Sequence, residues 1–167
     1  LLRNKMKQPE AACYHAWSAF RLQPNQIEYA RCLESVFTNS KQHARVLKDM
    51  CRRFPNDITF RDKLLMCFIK QGAFNQALEE CRVWNIKNGI DPQIISIQAG
   101  LLKTLHRHNE ALILLESATQ SYNQDIQLWI ALAESYERIN DTINLVRVCN
   151  SILKLQPNTP KALGFLM

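Results

Sequence analysis

The stretch LWIALAESYERINDTINLVRVCNSILKLQPN at 128–158 decides how the chain is built. Trp129, Leu132, Ala133 and Tyr136 fall at i, i+3, i+4 and i+7, the stripe of a helix buried on one side. Leu145, Val148, Cys149, Ile152 and Leu155 repeat that stripe after Asp141, whose side chain suits an N-cap. Pro157 then stops the second helix, because the residue before a proline avoids the α conformation. The stretch predicts two helices joined by a tight turn and closed by a proline.

The same punctuation recurs outward from there. RLQPN at 21–25, RRFPN at 52–56, GIDPQ at 89–93 and KLQPN at 154–158 each close a helical stretch. Pro24 to Pro55 is 31 residues, Pro55 to Pro92 is 37, and Pro92 to Pro157 is 65, near two further periods with the missing stop at SYNQD, 121–125. A period of this length holding two helices marks a solenoid. The helices are expected at 8–21, 25–38, 41–53, 57–71, 74–87, 92–105, 108–121, 125–139, 141–155 and 159–166, with links short enough for antiparallel neighbours.

Bulk properties agree with a helical, globular chain. The 167 residues are 47% hydrophobic and 22% charged, with four glycines, and Leu, Ala, Gln, Glu, Lys and Arg dominate. No run approaches the length of a membrane span, and the N-terminal residues do not read as a signal peptide. Cys13, Cys32, Cys51, Cys67, Cys81 and Cys149 form no C-x-x-C pair, and five of them fall among apolar residues as small core hydrophobes. That usage predicts a reducing, intracellular compartment, cytoplasm or nucleus, which the lone sequon at Asn140-Asp141-Thr142 does not overturn.

Charge is uneven. Residues 1–53 hold ten Lys/Arg against four Asp/Glu, and residues 54–167 hold eleven against eleven, so the net +6 lies in the first third. Lys41, Arg45, Lys48 and Arg52 share one face of a helix whose other side is Val46, Leu47, Met50 and Phe54. Such a stripe suits phosphates or an acidic protein surface, although that helix lacks interleaved aromatics. Trp17, beside the apolar stripe of its own helix, is the best exposed aromatic.

An enzyme is not expected. There is no phosphate-binding glycine loop, no H-E-x-x-H and no nucleophile elbow. His106, His108 and Glu110 in HRHNE lie close together, but a polar turn explains them better than a metal site lacking its fourth ligand. No cofactor, metal or small-molecule substrate is expected.

These residues resemble the tetratricopeptide repeat. Trp129, Leu132, Ala133, Tyr136, Asn140 and Pro157 match its pattern, with Leu145, Cys149 and Ile152 at the second-helix core positions. KQGAFNQALEECRVW matches through Gly72, Ala77, Cys81 and Trp84, HRHNEALILLESA through Ala111, Leu115 and Ala118, and EAACYHAWSAFRLQP through Ala12, Ala16, Ala19 and Pro24. The 128–157 segment is also similar to the half-a-tetratricopeptide repeat, a type associated with RNA-processing assemblies. MCFIKQGAFNQALEECRVWNIKNGIDPQ resembles one pentatricopeptide unit, whose arrays bind single-stranded RNA.

The resemblance implies an all-α, right-handed α-solenoid of antiparallel helix hairpins. Residues 1–167 would be one domain of about four hairpins, with partial repeats at both ends, from a longer chain. It implies a non-enzymatic protein–protein interaction scaffold in a multiprotein complex. The groove would be lined by first helices, at Asp62, Met66, Lys70, Ser96, Gly100, Lys103, Ile130, Glu134 and Arg138, and would take a peptide segment or helix of a partner. The family's chaperone-binding carboxylate clamp is not reproduced at these positions. One alternative is an RNA-processing scaffold that touches RNA or an acidic partner through Lys41, Arg45, Lys48 and Arg52. Another is a regulatory domain attached to an enzyme.

Overall fold

The computed structural model describes residues 9–37 and 42–167, with side chains from residue 13 onward. The described residues form ten α-helices: α1 Pro9–Leu22, α2 Ile27–Phe37, α3 His43–Arg53, α4 Ile58–Lys70, α5 Phe74–Asn88, α6 Pro92–Thr104, α7 His108–Ser121, α8 Ile126–Arg138, α9 Thr142–Leu155 and α10 Pro160–Phe165. Every boundary lies within two residues of the one expected from periodicity. They fall into two compact units, residues 1–73 and 74–167.

The repeat is more regular than its prolines. Asp57, Asp91, Asp125 and Thr159 occupy the N-cap positions of α4, α6, α8 and α10, each 34 residues after the one before. The three aspartates accept a backbone N–H two residues on, from Thr59, Gln93 and Gln127, which satisfies a donor the helix leaves open. Pro92 and Pro160 occupy the first turn, where the missing N–H is not needed.

The turns that end α4, α6 and α8 keep the same interval. Gly72, His106 and Asn140 all adopt positive φ, at 69°, 59° and 58°. Behind each, the next residue's N–H reaches back five residues, Ala73 to Phe68, Arg107 to Leu102 and Asp141 to Tyr136, at 2.9, 2.9 and 3.0 Å. This left-handed C-cap closes the helix and turns the chain. Glycine or asparagine fits the conformation readily, and histidine adopts it at some cost.

In unit 1, α1 packs on α2, α2 on α3 and α3 on α4. Phe20, Leu33, Leu47, Met50, Phe60 and Leu64 are buried among them. In unit 2, α6 pairs with α7 and α8 with α9, while α8 also stacks on α6 and α10 on α8. Ala99, Ala111 and Ala133 are wholly buried there and let helices approach closely. Tyr136 is buried too, and its hydroxyl donates to the Glu116 carboxylate, joining α8 to α7. Burial first, and that carboxylate second, push the phenol up to about 12.

The cysteines depart in part from expectation. None of the six is in a disulfide, but only Cys81 and Cys149 are fully buried, and the other four are half-buried. Among the described residues no helix is long and apolar enough to cross a membrane.

Candidate functional site

The expected groove residues of unit 2 lie on α6 and α8, and α10 stacks on α8 beside them. Glu134, in the middle of α8, bridges outward in both directions. Lys103 of α6 approaches its Oε2 at 3.5 Å, and Lys161 of α10 donates to Oε1 at 2.8 Å. Burial pushes the Glu134 carboxyl up, yet the Lys161 bond and the Lys103 charge together outweigh it and hold it below the usual carboxylate range. These three side chains, with Glu137, Arg138 and Phe165, line an open cleft of about 620 Å³. Arg138 is exposed and makes no hydrogen bond or ion pair among the described residues.

The other expected groove residues differ in position. Ser96 and Gly100 are half-buried on α6. Ile130 is buried, 8% exposed, so it packs within the unit and offers no contact surface. Asp62, Met66 and Lys70 lie on α4 of unit 1 and are all exposed, with Asp62 accepting from Arg61 at 2.9 Å. Lys161 and Phe165 escaped sequence reasoning. The helix expected at 159–166 opens a further partial repeat, and Thr159, 34 residues after Asp125, marks its start.

The basic stripe forms a second surface. Arg45, Lys48 and Arg52 are exposed on α3, while Lys41 lies outside the described residues. With Trp17 of α1 they line a cleft of about 740 Å³ in unit 1. Trp17 is set edge-on against Phe20 and Phe37, with centroids 6.3 and 6.2 Å away. Arg53 is occupied, bonded to Asp49 at 3.0 Å and lying 5.2 Å from the Phe20 ring centroid. Arg45 and Arg52 make no hydrogen bond or ion pair among the described residues. An aromatic therefore does accompany the stripe, supplied by a different helix.

Among the described residues no group of three His, Cys, Asp or Glu side chains could hold a metal ion. In the HRHNE turn, Arg107 takes both oxygens of Glu110 at 2.6 Å, and His106 and His108 meet edge to face at 6.0 Å.

No protein-family model matches the chain, and no curated protein does. Solved structures do. YrrB, described as a TPR protein with an unusual peptide-binding site, is 14% identical, with 93% of this chain and 82% of that one aligned at a TM-score of 0.66. A MamA structure is 12% identical over 92% of this chain and 85% of its own, at 0.65. MamA from Desulfovibrio magneticus RS-1 is 14% identical over 81% and 78%, at 0.61. At these identities the likeness establishes the fold, an all-α solenoid of helix hairpins of the tetratricopeptide type.

Proposed function

We propose that the chain is a non-enzymatic interaction scaffold, part of a subunit of a multiprotein complex. In this reading α6, α8 and α10 dock an extended segment of a partner protein. The observation that carries it is the gathering of three cations, Lys103, Arg138 and Lys161, in one cleft on the stacked helices α6, α8 and α10, where Glu134 pairs with both lysines and Glu137 is the other carboxylate. A partner carboxylate meets a free guanidinium at Arg138 and two ammonium groups that share one counter-ion. The exposed face of α4, with Asp62, Met66 and Lys70, belongs to the same reading as a further contact surface. Cysteines that form no disulfide fit a reducing compartment, cytoplasm or nucleus.

The test is affinity capture with the full chain. It should recover a stable protein partner, and Arg138→Glu with Lys161→Glu should lose it. Recovery of no partner, or equal recovery by the variant, removes the proposal.

A second reading, an RNA-processing scaffold, is favoured by one observation. Trp17 and two unpartnered arginines share the unit 1 cleft, the combination that stacks a base while gripping phosphates. Single-stranded RNA should then bind with affinity falling steeply between about 50 and 200 mM salt. Arg45→Glu with Arg52→Glu should abolish binding. Salt-insensitive binding, or binding that survives the double reversal, ends this reading, and displacement by an acidic peptide alone assigns the cleft to protein.

A further inference from the structure

Unit 2 has another opening, of different chemistry. It lies between α5 and α7, encloses about 390 Å³, and is floored by Ile95 and Gln98 of α6. Ile86, Ile90, Leu114 and Tyr122 form its walls. The Tyr122 hydroxyl donates to the Ile90 carbonyl at 2.9 Å, tying the α5–α6 link to the end of α7. Ile86 and Ile90 are 84% and 59% exposed although they flank a concave surface.

Two polar features distinguish this cleft from a simple apolar dent. Asn85 Oδ1 is buried and has no hydrogen-bond partner among the described residues, while its Nδ2 reaches Gln98 Oε1 only at 3.4 Å. An unsatisfied buried acceptor is destabilising, and the long bond gives little reason for the amide to stay where it is. At the rim, Arg82 stands 4.0 Å from both Glu79 and Glu110. Glu110 is already held at 2.6 Å by Arg107, and at 4.0 Å neither carboxylate hydrogen-bonds to Arg82, so the guanidinium N–H groups are open to a closer acceptor.

We propose that this cleft docks a peptide segment of a partner protein that carries a branched aliphatic side chain beside a carboxylate. The aliphatic group covers Ile86, Ile90 and Leu114, the carboxylate pairs with Arg82, and a peptide group of the segment meets the Asn85 amide as it turns outward. The site is separate from the groove on α6, α8 and α10 and does not rest on it.

The experiment pans a phage-displayed random peptide library against the full chain and measures enriched peptides by fluorescence anisotropy. Enriched sequences should pair Leu, Ile or Val with an adjacent Asp or Glu. Ile86→Ser with Ile90→Ser should weaken them about tenfold or more, since both residues are on the surface and folding, checked by circular dichroism, is kept. Arg82→Gln should weaken acid-bearing peptides about threefold and leave their amide versions unchanged. Arg138→Glu with Lys161→Glu should have no effect, which separates this site from the groove. No enrichment, enrichment without the aliphatic–acid pair, or binding indifferent to both sets of variants overturns the proposal. So does self-association in sedimentation velocity that the isoleucine variants abolish, because the occupant is then a second copy of the chain.

Discussion

Each unit has a carboxylate that bridges three helices, and the two differ in burial. In unit 1, Glu34 of α2 meets His43 of α3 at 2.9 Å and Lys63 of α4 at 2.6 Å, with its own side chain 5% exposed. In unit 2, Glu134 of α8 links Lys103 of α6 and Lys161 of α10 with a side chain 39% exposed. A buried charge depends on its partners, whereas an exposed one is largely repaid by water when a partner leaves. The first bridge therefore holds helices together, and the second is free to exchange partners. Buried groups elsewhere follow the same division. Unit 1 also buries Arg61, bonded to Asp62, while the buried polar residues of unit 2 are the uncharged Gln98, Thr119, Ser135 and Thr159.

The comparison breaks most sharply at Glu34. Replacing His43 and Lys63 together by alanine strips two partners from a carboxylate that stays buried, and should destabilise unit 1 on the order of 3 kcal/mol. Glu34→Leu removes the charge itself and should fall within about 1 kcal/mol of the parent. Amide hydrogen exchange in α2, α3 and α4 reads both. Equal losses from the two changes would show that Glu34 is not behaving as a buried ion.

Both units bury alanines where helices meet, Ala30 in unit 1 and Ala99, Ala111 and Ala133 in unit 2, so close packing does not depend on either bridge. Ala133 is wholly buried in α8. Ala133→Leu should destabilise the unit by about 1–3 kcal/mol through overpacking, read as a lower urea midpoint. An unchanged midpoint would mean that the alanine is not what sets the helix spacing.

Most helices were legible because stripes and proline stops are local signals, but the true period was hidden. Proline stops wander by several residues, since a proline can stand either past a helix end, as Pro157 does, or in the first turn of the next, as Pro92 does. The regular signals are the aspartate N-caps and the positive-φ turns, and Asp57, Asp91 and Asp125 were visible in the sequence throughout. The same register explains Arg61, which stands where the later repeats have Ile95 and Trp129, a place where a long side chain is buried along its stem. The sites were less legible. Trp17 joins the basic stripe from another helix, Lys161 belongs to a helix whose sequence stands out for its apolar side, and Ile130, expected in the groove, is buried.

The turn register makes a milder prediction. His106 holds the conformation that Gly72 and Asn140 hold in the neighbouring repeats, but histidine is strained there. His106→Gly should raise the stability of unit 2 by about 0.5–1 kcal/mol, read as a higher urea midpoint. A loss instead would show that the imidazole contributes more through its contact with His108 than the backbone strain takes away.

The smallest effect is expected at Glu134, and its smallness is informative. Its folded carboxyl titrates below the ordinary range, so its stabilising contribution is present above the unfolded value near 4.5 and lost as pH falls through the lower folded value. Because the side chain is more than a third exposed, Glu134→Gln should cost no more than about 1 kcal/mol at neutral pH, and less in high salt. In the variant, the part of the acid loss that comes from this residue should disappear from a urea series between neutrality and acid. A cost as large as that of the His43 and Lys63 pair would make Glu134 a structural clamp like Glu34. Lys103 and Lys161 would then be committed to the fold, and in the proposed docking a partner's carboxylate would have to bind without displacing them.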